Sequence, residues 1–114
     1  MTKSIDDFFA AWTQTDADTR VALISGAIAD GAFYADPRTE APMTDVVAMS
    51  EYVGMFAEMG MPVTVTNEST TLNFVRATVQ FGAGEKSQSG QYIVDLSADG
   101  KITRMVGFAG MGVA

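Results

Sequence analysis

The spacing of apolar residues changes once along this chain, at Pro62. Before it, apolar residues recur at helical intervals: Ile5, Phe8, Phe9 and Trp12; then Val21, Leu23, Ile24, Ala27 and Ile28; then Val46, Met49, Val53 and Phe56. After it the period is two. Val63 to Asn67, Leu72 to Phe81, Ser87 to Leu96 and Ile102 to Phe108 read as β-strands. Helices segregated from strands imply an α+β fold. Its expected form is three N-terminal helices on a strongly curved, mainly antiparallel sheet, a cone enclosing an internal pocket.

Local signals set the expected boundaries. Ser4 with Asp7 resembles a capping box, opening a first helix that runs to about Gln14. Thr15 with Asp18 repeats the signal for a second, which Gly31 closes. Phe33 to Asp36 reads as a short strand, stopped by Pro37. Thr44 or Asp45 caps the third helix, and Gly60 and Pro62 end it. Gly82-Ala83-Gly84 and Ala98-Asp99-Gly100 separate the later strands, and a Gly- and Met-rich tail follows Phe108.

Length and composition narrow the chemistry. A chain of 114 residues accommodates a single domain, 1–114. With no Cys it has no disulfide or thiolate metal site, and with no His it lacks a Ser-His-Asp triad and the usual zinc or copper ligands. Asp6-Asp7 and Asp16/Asp18 read as helix-start charges, so no metal site is expected. The stretch from Gly84 to Gly90 lacks the lysine and helix of a phosphate-binding loop. The formal charge is -7, all of it within residues 1–58. Such acidity argues against nucleic-acid and anionic-membrane partners. No run approaches the roughly 20 apolar residues of a spanning helix, and Asp6-Asp7 interrupt any leader-like start. A cytoplasmic protein is expected.

Several segments together resemble the SnoaL-like branch of the nuclear-transport-factor-2-like superfamily, which includes polyketide cyclases and ketosteroid isomerases. They are Ala10-Ala11-Trp12 with Asp16, Phe33-Tyr34-Ala35-Asp36-Pro37-Arg38, Gly90-Gln91-Tyr92 through Leu96, Asp99-Gly100-Lys101-Ile102 and Gly107-Phe108. The resemblance implies a cofactor-free isomerase, cyclase or lyase acting on an apolar carbonyl compound, with Asp36 as general base. Such a base needs a carboxylate on a fixed strand end facing an apolar cavity, where desolvation tunes it. The alternatives are a strand-ending Asp-Pro turn, or Asp36 paired with Arg38. At the places of the isomerases' oxyanion-hole Tyr and Asp, this chain carries Phe8 and Tyr92.

Strand parity puts Tyr34 on the face of Asp36, so Tyr34 or Tyr92 is the candidate donor to an enolate. The same parity turns Asp95 away from Tyr92, and turns Arg76 away from Val75, Ala77 and Val79. Phe8, Trp12, Val53, Phe56, Met59, Val79 and Val94 are the expected pocket lining, with Met55, Met59 and Met61 as a lid. Core packing is the alternative for each. A non-catalytic binder of an apolar small molecule is the competing function. The resemblance also implies a homodimer through the outer face of the sheet.

Overall fold

The structure, a computed structural model, describes residues 2–110. Most of the tail expected after Phe108 lies outside them. The elements are α1 (Lys3–Ala10), a short 3-10 turn (Ala11–Thr13), α2 (Ala17–Ala27), β1 (Ile28–Ala35), α3 (Val46–Glu58), β2 (Val63–Thr71), β3 (Phe74–Phe81), β4 (Gln88–Leu96) and β5 (Ile102–Ala109). The five strands form one curved, open sheet in the order β1-β5-β4-β3-β2. Every pair is antiparallel except β1 with β5, which is parallel. The α+β expectation holds. No described helix is long and apolar enough to cross a membrane.

Four local expectations are corrected. Thr2, not Ser4, caps α1. Ser4 lies within the helix with its hydroxyl buried and unpartnered. Thr2 instead ties α1 to the sheet: its Oγ1 donates to Glu68 at 2.6 Å and its backbone N–H donates to the same carboxylate at 3.1 Å. That carboxylate sits where the helix dipole favours negative charge. Second, α2 stops at Ala27, and β1 begins five residues before Phe33. Gly31, read as a helix end, lies in a β1 irregularity at φ 77°, a backbone shape that suits glycine at a bulge as well as at a helix end. Third, Leu72 is not a strand residue: it occupies the β2–β3 turn at φ 54° and is almost fully exposed. Fourth, Asp16 caps α2, accepting from Thr19 N at 2.9 Å and Thr19 Oγ1 at 2.7 Å. Asp45 caps α3 as expected, accepting from Ala48 N at 3.0 Å.

The core forms where the apolar stripe of α1 meets the inner face of the sheet. Phe8 packs on Tyr34 with ring centroids 5.4 Å apart, and Phe9 on Tyr92 at 4.9 Å. Val75, Ala77, Val79 and Val94 complete that face, all buried. The opposite face presents Phe74, Arg76, Ile93 and Arg104, and Arg104 pairs with Asp95 at 2.7 Å. The parity readings for Arg76 and Asp95 therefore hold.

Candidate functional site

Asp36 follows directly on the last residue of β1, and its side chain is fixed by the turn it starts. The carboxylate Oδ1 accepts the backbone N–H of Arg38 at 2.8 Å, an Asx-type turn around Pro37. Thr39 closes the turn: its N–H donates to Asp36 O at 3.1 Å, and its Oγ1 accepts from Asp36 N at 3.1 Å. A two-way backbone bridge between Tyr34 and Met43 then folds the loop back onto β1, at 2.9 and 2.8 Å. Asp36 does not form an ion pair with Arg38. The Arg38 guanidinium lies over the Phe56 ring, 4.9 Å from its centroid.

The turn leaves Oδ2 of Asp36 for side chains, and two phenols use it. Tyr34 donates at 2.5 Å and Tyr52 at 2.7 Å. Tyr92 extends the chain, its hydroxyl 3.2 Å from that of Tyr34. Structure thus gathers the three residues expected from sequence, Asp36, Tyr34 and Tyr92, and adds Tyr52. Tyr52 carried a usable signal: it stands three residues after Met49 and four before Phe56, beside the apolar stripe of α3.

The phenols are held protonated. Burial pushes Tyr34 well above the ordinary phenol range, reinforced by Tyr92 and Asp36. Tyr52 is raised by burial and then by its hydrogen bond to Asp36. Burial raises Tyr92 to about 12, against the opposing effect of its Tyr34 hydrogen bond. At neutral pH the cluster is therefore one carboxyl group and three hydroxyl donors.

A glycine positions Tyr92. A Cβ on Gly107 of β5 would stand 2.5 Å from Cε2 of the Tyr92 ring, so the ring lies against bare backbone.

The cluster borders a cavity of about 270 Å³. Asp36, Pro37 and Arg38 line it with Trp12, Phe56, Met61, Phe81 and Tyr92; Lys86, Gln88 and Ser89 lie along the β3–β4 connection and the start of β4. Of the expected lining, Trp12 and Phe56 are present. Phe8, Val53, Val79 and Val94 are not in the wall: they are buried in the core. Met59 is 65 % exposed and Met55 57 %, so only Met61 of the expected lid reaches the cavity. The reason lies in the register. Inner-face parity does not distinguish the rows α1 covers from the end row, where Phe81 of β3 pairs with Gln88 of β4. Among the described residues, no three acidic side chains converge as metal ligands.

No family model matches this chain, and no curated protein matches it. Solved structures do. A protein assigned as an isomerase of the SnoaL-like family from Agrobacterium tumefaciens is 24% identical, with a TM-score of 0.79 over 97% of this chain and 100% of that one. A protein with a ketosteroid-isomerase-like fold from Catenulispora acidiphila, solved with trimethylamine, is 17% identical, with a TM-score of 0.73 over 96% of this chain and 86% of that one. The epoxide hydrolase/cyclase-like enzyme SalBIII, of pyran ring formation in salinomycin, is 17% identical, with a TM-score of 0.69 over 95% of this chain and 88% of that one.

Proposed function

Starting from the nuclear-transport-factor-2-like fold it shares with these SnoaL-like and ketosteroid-isomerase-like structures, we propose that this chain binds a small apolar carbonyl compound and moves a proton beside its carbonyl without a cofactor. The observation that carries the reading is one carboxylate oxygen of Asp36 held by two phenols at the edge of a cavity. Oδ2 takes a proton from the carbon next to the carbonyl as one phenol hydrogen bond is released. The C–H electron pair moves into the carbonyl, giving an enolate. Tyr92, which lines the cavity, turns its hydroxyl from Tyr34 to donate a hydrogen bond to the enolate oxygen. Return of the proton from Asp36 to the same or a neighbouring carbon completes exchange or isomerisation.

Deuterium exchange at the carbon beside the carbonyl of small apolar ketones, followed by NMR, tests this. Exchange should accelerate with the protein and fall by roughly a hundredfold or more in Asp36→Asn. Undiminished exchange in that variant removes the base role.

A non-catalytic binder is the second reading. It is favoured by the fact that both oxygens of Asp36 already hold hydrogen bonds, a satisfied structural carboxylate. It expects ligand binding without exchange. We also propose that two copies associate through the outer sheet face, where Phe74 is 44% and Ile93 38% exposed.

A further inference from the structure

The cavity wall has a donor surplus that the proton-transfer reading does not use. Asp36 is its one acidic side chain, and the carboxylate is already satisfied by Tyr34, Tyr52 and the Arg38 N–H. Two cations stand in the same wall, Arg38 and Lys86, and neither forms an ion pair among the described residues. Glu85, next to Lys86, is not part of the wall. The wall therefore carries one net positive charge in a chain whose formal charge is -7. The remaining wall is aromatic and aliphatic, from Phe56, Phe81 and Met61.

We infer that the ligand is a carboxylate with an apolar body, its anionic end held by Arg38 and Lys86 and its body against Trp12, Phe56 and Phe81. This rests on the same cavity as the proposed function and narrows its substrate class to a keto acid. Arg38 is suited to the anion: its backbone N–H is spent on Asp36, while its guanidinium has only an aromatic face beneath it. The acidic first half of the chain repels anions at long range, but that field is screened within about 8 Å at physiological salt.

The test compares benzoylpropionate with its methyl ester. They share an aryl ketone and differ in one charge. Binding is read from the indole N–H signal of Trp12, the single tryptophan of the chain. The carboxylate should bind at least about tenfold tighter than the ester, a gap typical of one charge-assisted hydrogen-bonded contact. Lys86→Gln, at an exposed position, should narrow the gap, and the Arg38→Gln/Lys86→Gln double variant should abolish it. Equal or tighter binding of the ester overturns the inference, as does a preference that survives the double variant, or no shift with either compound. Proton exchange on the same methylene separates the two readings. Preferential carboxylate binding without exchange leaves the ligand class standing and removes the proton-transfer function. Exchange on the ester as fast and as tight as on the acid does the reverse.

Discussion

Two charged residues lie within the helix–sheet layers, Arg20 and Asp36, and they are satisfied by opposite means. Arg20 is 9% exposed and has no acidic partner among the described residues. Its Nε donates to Ser50 O at 3.1 Å and Ser50 Oγ at 3.3 Å; its Nη1 donates to Gln14 O at 2.8 Å and Thr15 O at 3.1 Å. Those carbonyls belong to the segment before α2 and to α3, so the guanidinium pins helix to helix. Gly54 makes room for it: a Cβ there would stand 2.7 Å from the guanidinium. Asp36 keeps one oxygen on the Arg38 backbone N–H, but its other oxygen is held by side-chain hydroxyls alone, each with lone pairs and rotational freedom left over. Backbone carbonyls cannot rearrange without moving a helix, whereas phenols can. The comparison teaches that a charge pinned by carbonyls is fixed with its helices, whereas a carboxylate oxygen held by hydroxyls beside a cavity is free to change partners.

The largest expected effect comes from the architectural charge. Arg20→Ala removes four hydrogen bonds, to Ser50, Gln14 and Thr15, and should lower stability by about 3 kcal/mol in urea unfolding. Its exchange rate per folded molecule should stay at the wild-type value. A stable Arg20→Ala protein that has lost exchange would erase the distinction. Asp36→Asn should do the opposite. Its amide oxygen can keep the Arg38 N–H, but its NH2 then faces the phenols, whose hydroxyls must turn to accept and lose the carboxylate as their own acceptor, so a stability loss of about 1 kcal/mol accompanies loss of chemistry.

An effect graded by pH sharpens the contrast. The folded phenols ionise above their ordinary value, so the stability they confer is complete below about pH 10, where the unfolded chain still keeps them protonated. It is lost as pH rises through the folded values, beginning between there and about 12 for Tyr92. The unfolding free energy should fall by about 1.4 kcal/mol per pH unit for each phenol that ionises only when unfolded. Tyr92→Phe should flatten this alkaline limb; an unchanged slope would mean that Tyr92 ionises as freely folded as unfolded. The smallest effect on stability belongs to the outer face. Arg76→Glu should change unfolding by less than about 0.5 kcal/mol and yet weaken self-association in sedimentation. A monomer before and after the change would remove the outer-face dimer.

Much of the fold was legible because spacing is a direct image of geometry. A helical period before Pro62 and a twofold period after it located the main helices and strands, strand parity put Tyr34 on the side of Asp36, and the family resemblance pointed to Tyr92. What stayed hidden depends on partners that leave no mark on the pattern. Arg20 is bound largely by backbone carbonyls, which any sequence supplies. Tyr52 reaches Asp36 only because α3 closes over the end of β1. The cavity wall was misread for the same reason: alternation tells which face Val79 and Val94 occupy, but not whether a helix already covers them.

The bridge between Tyr34 and Met43 has one more consequence. It pinches the chain at the neck of a short loop that carries both the carboxylate and the guanidinium facing the cavity. Such a loop behaves as a cassette. Transplanted between its two anchor points onto another scaffold of this shape, it would deliver the proposed base and the proposed anion receptor together, already in register with each other. Variation inside it would retune reactivity and selectivity at once, while the sheet beneath remained untouched.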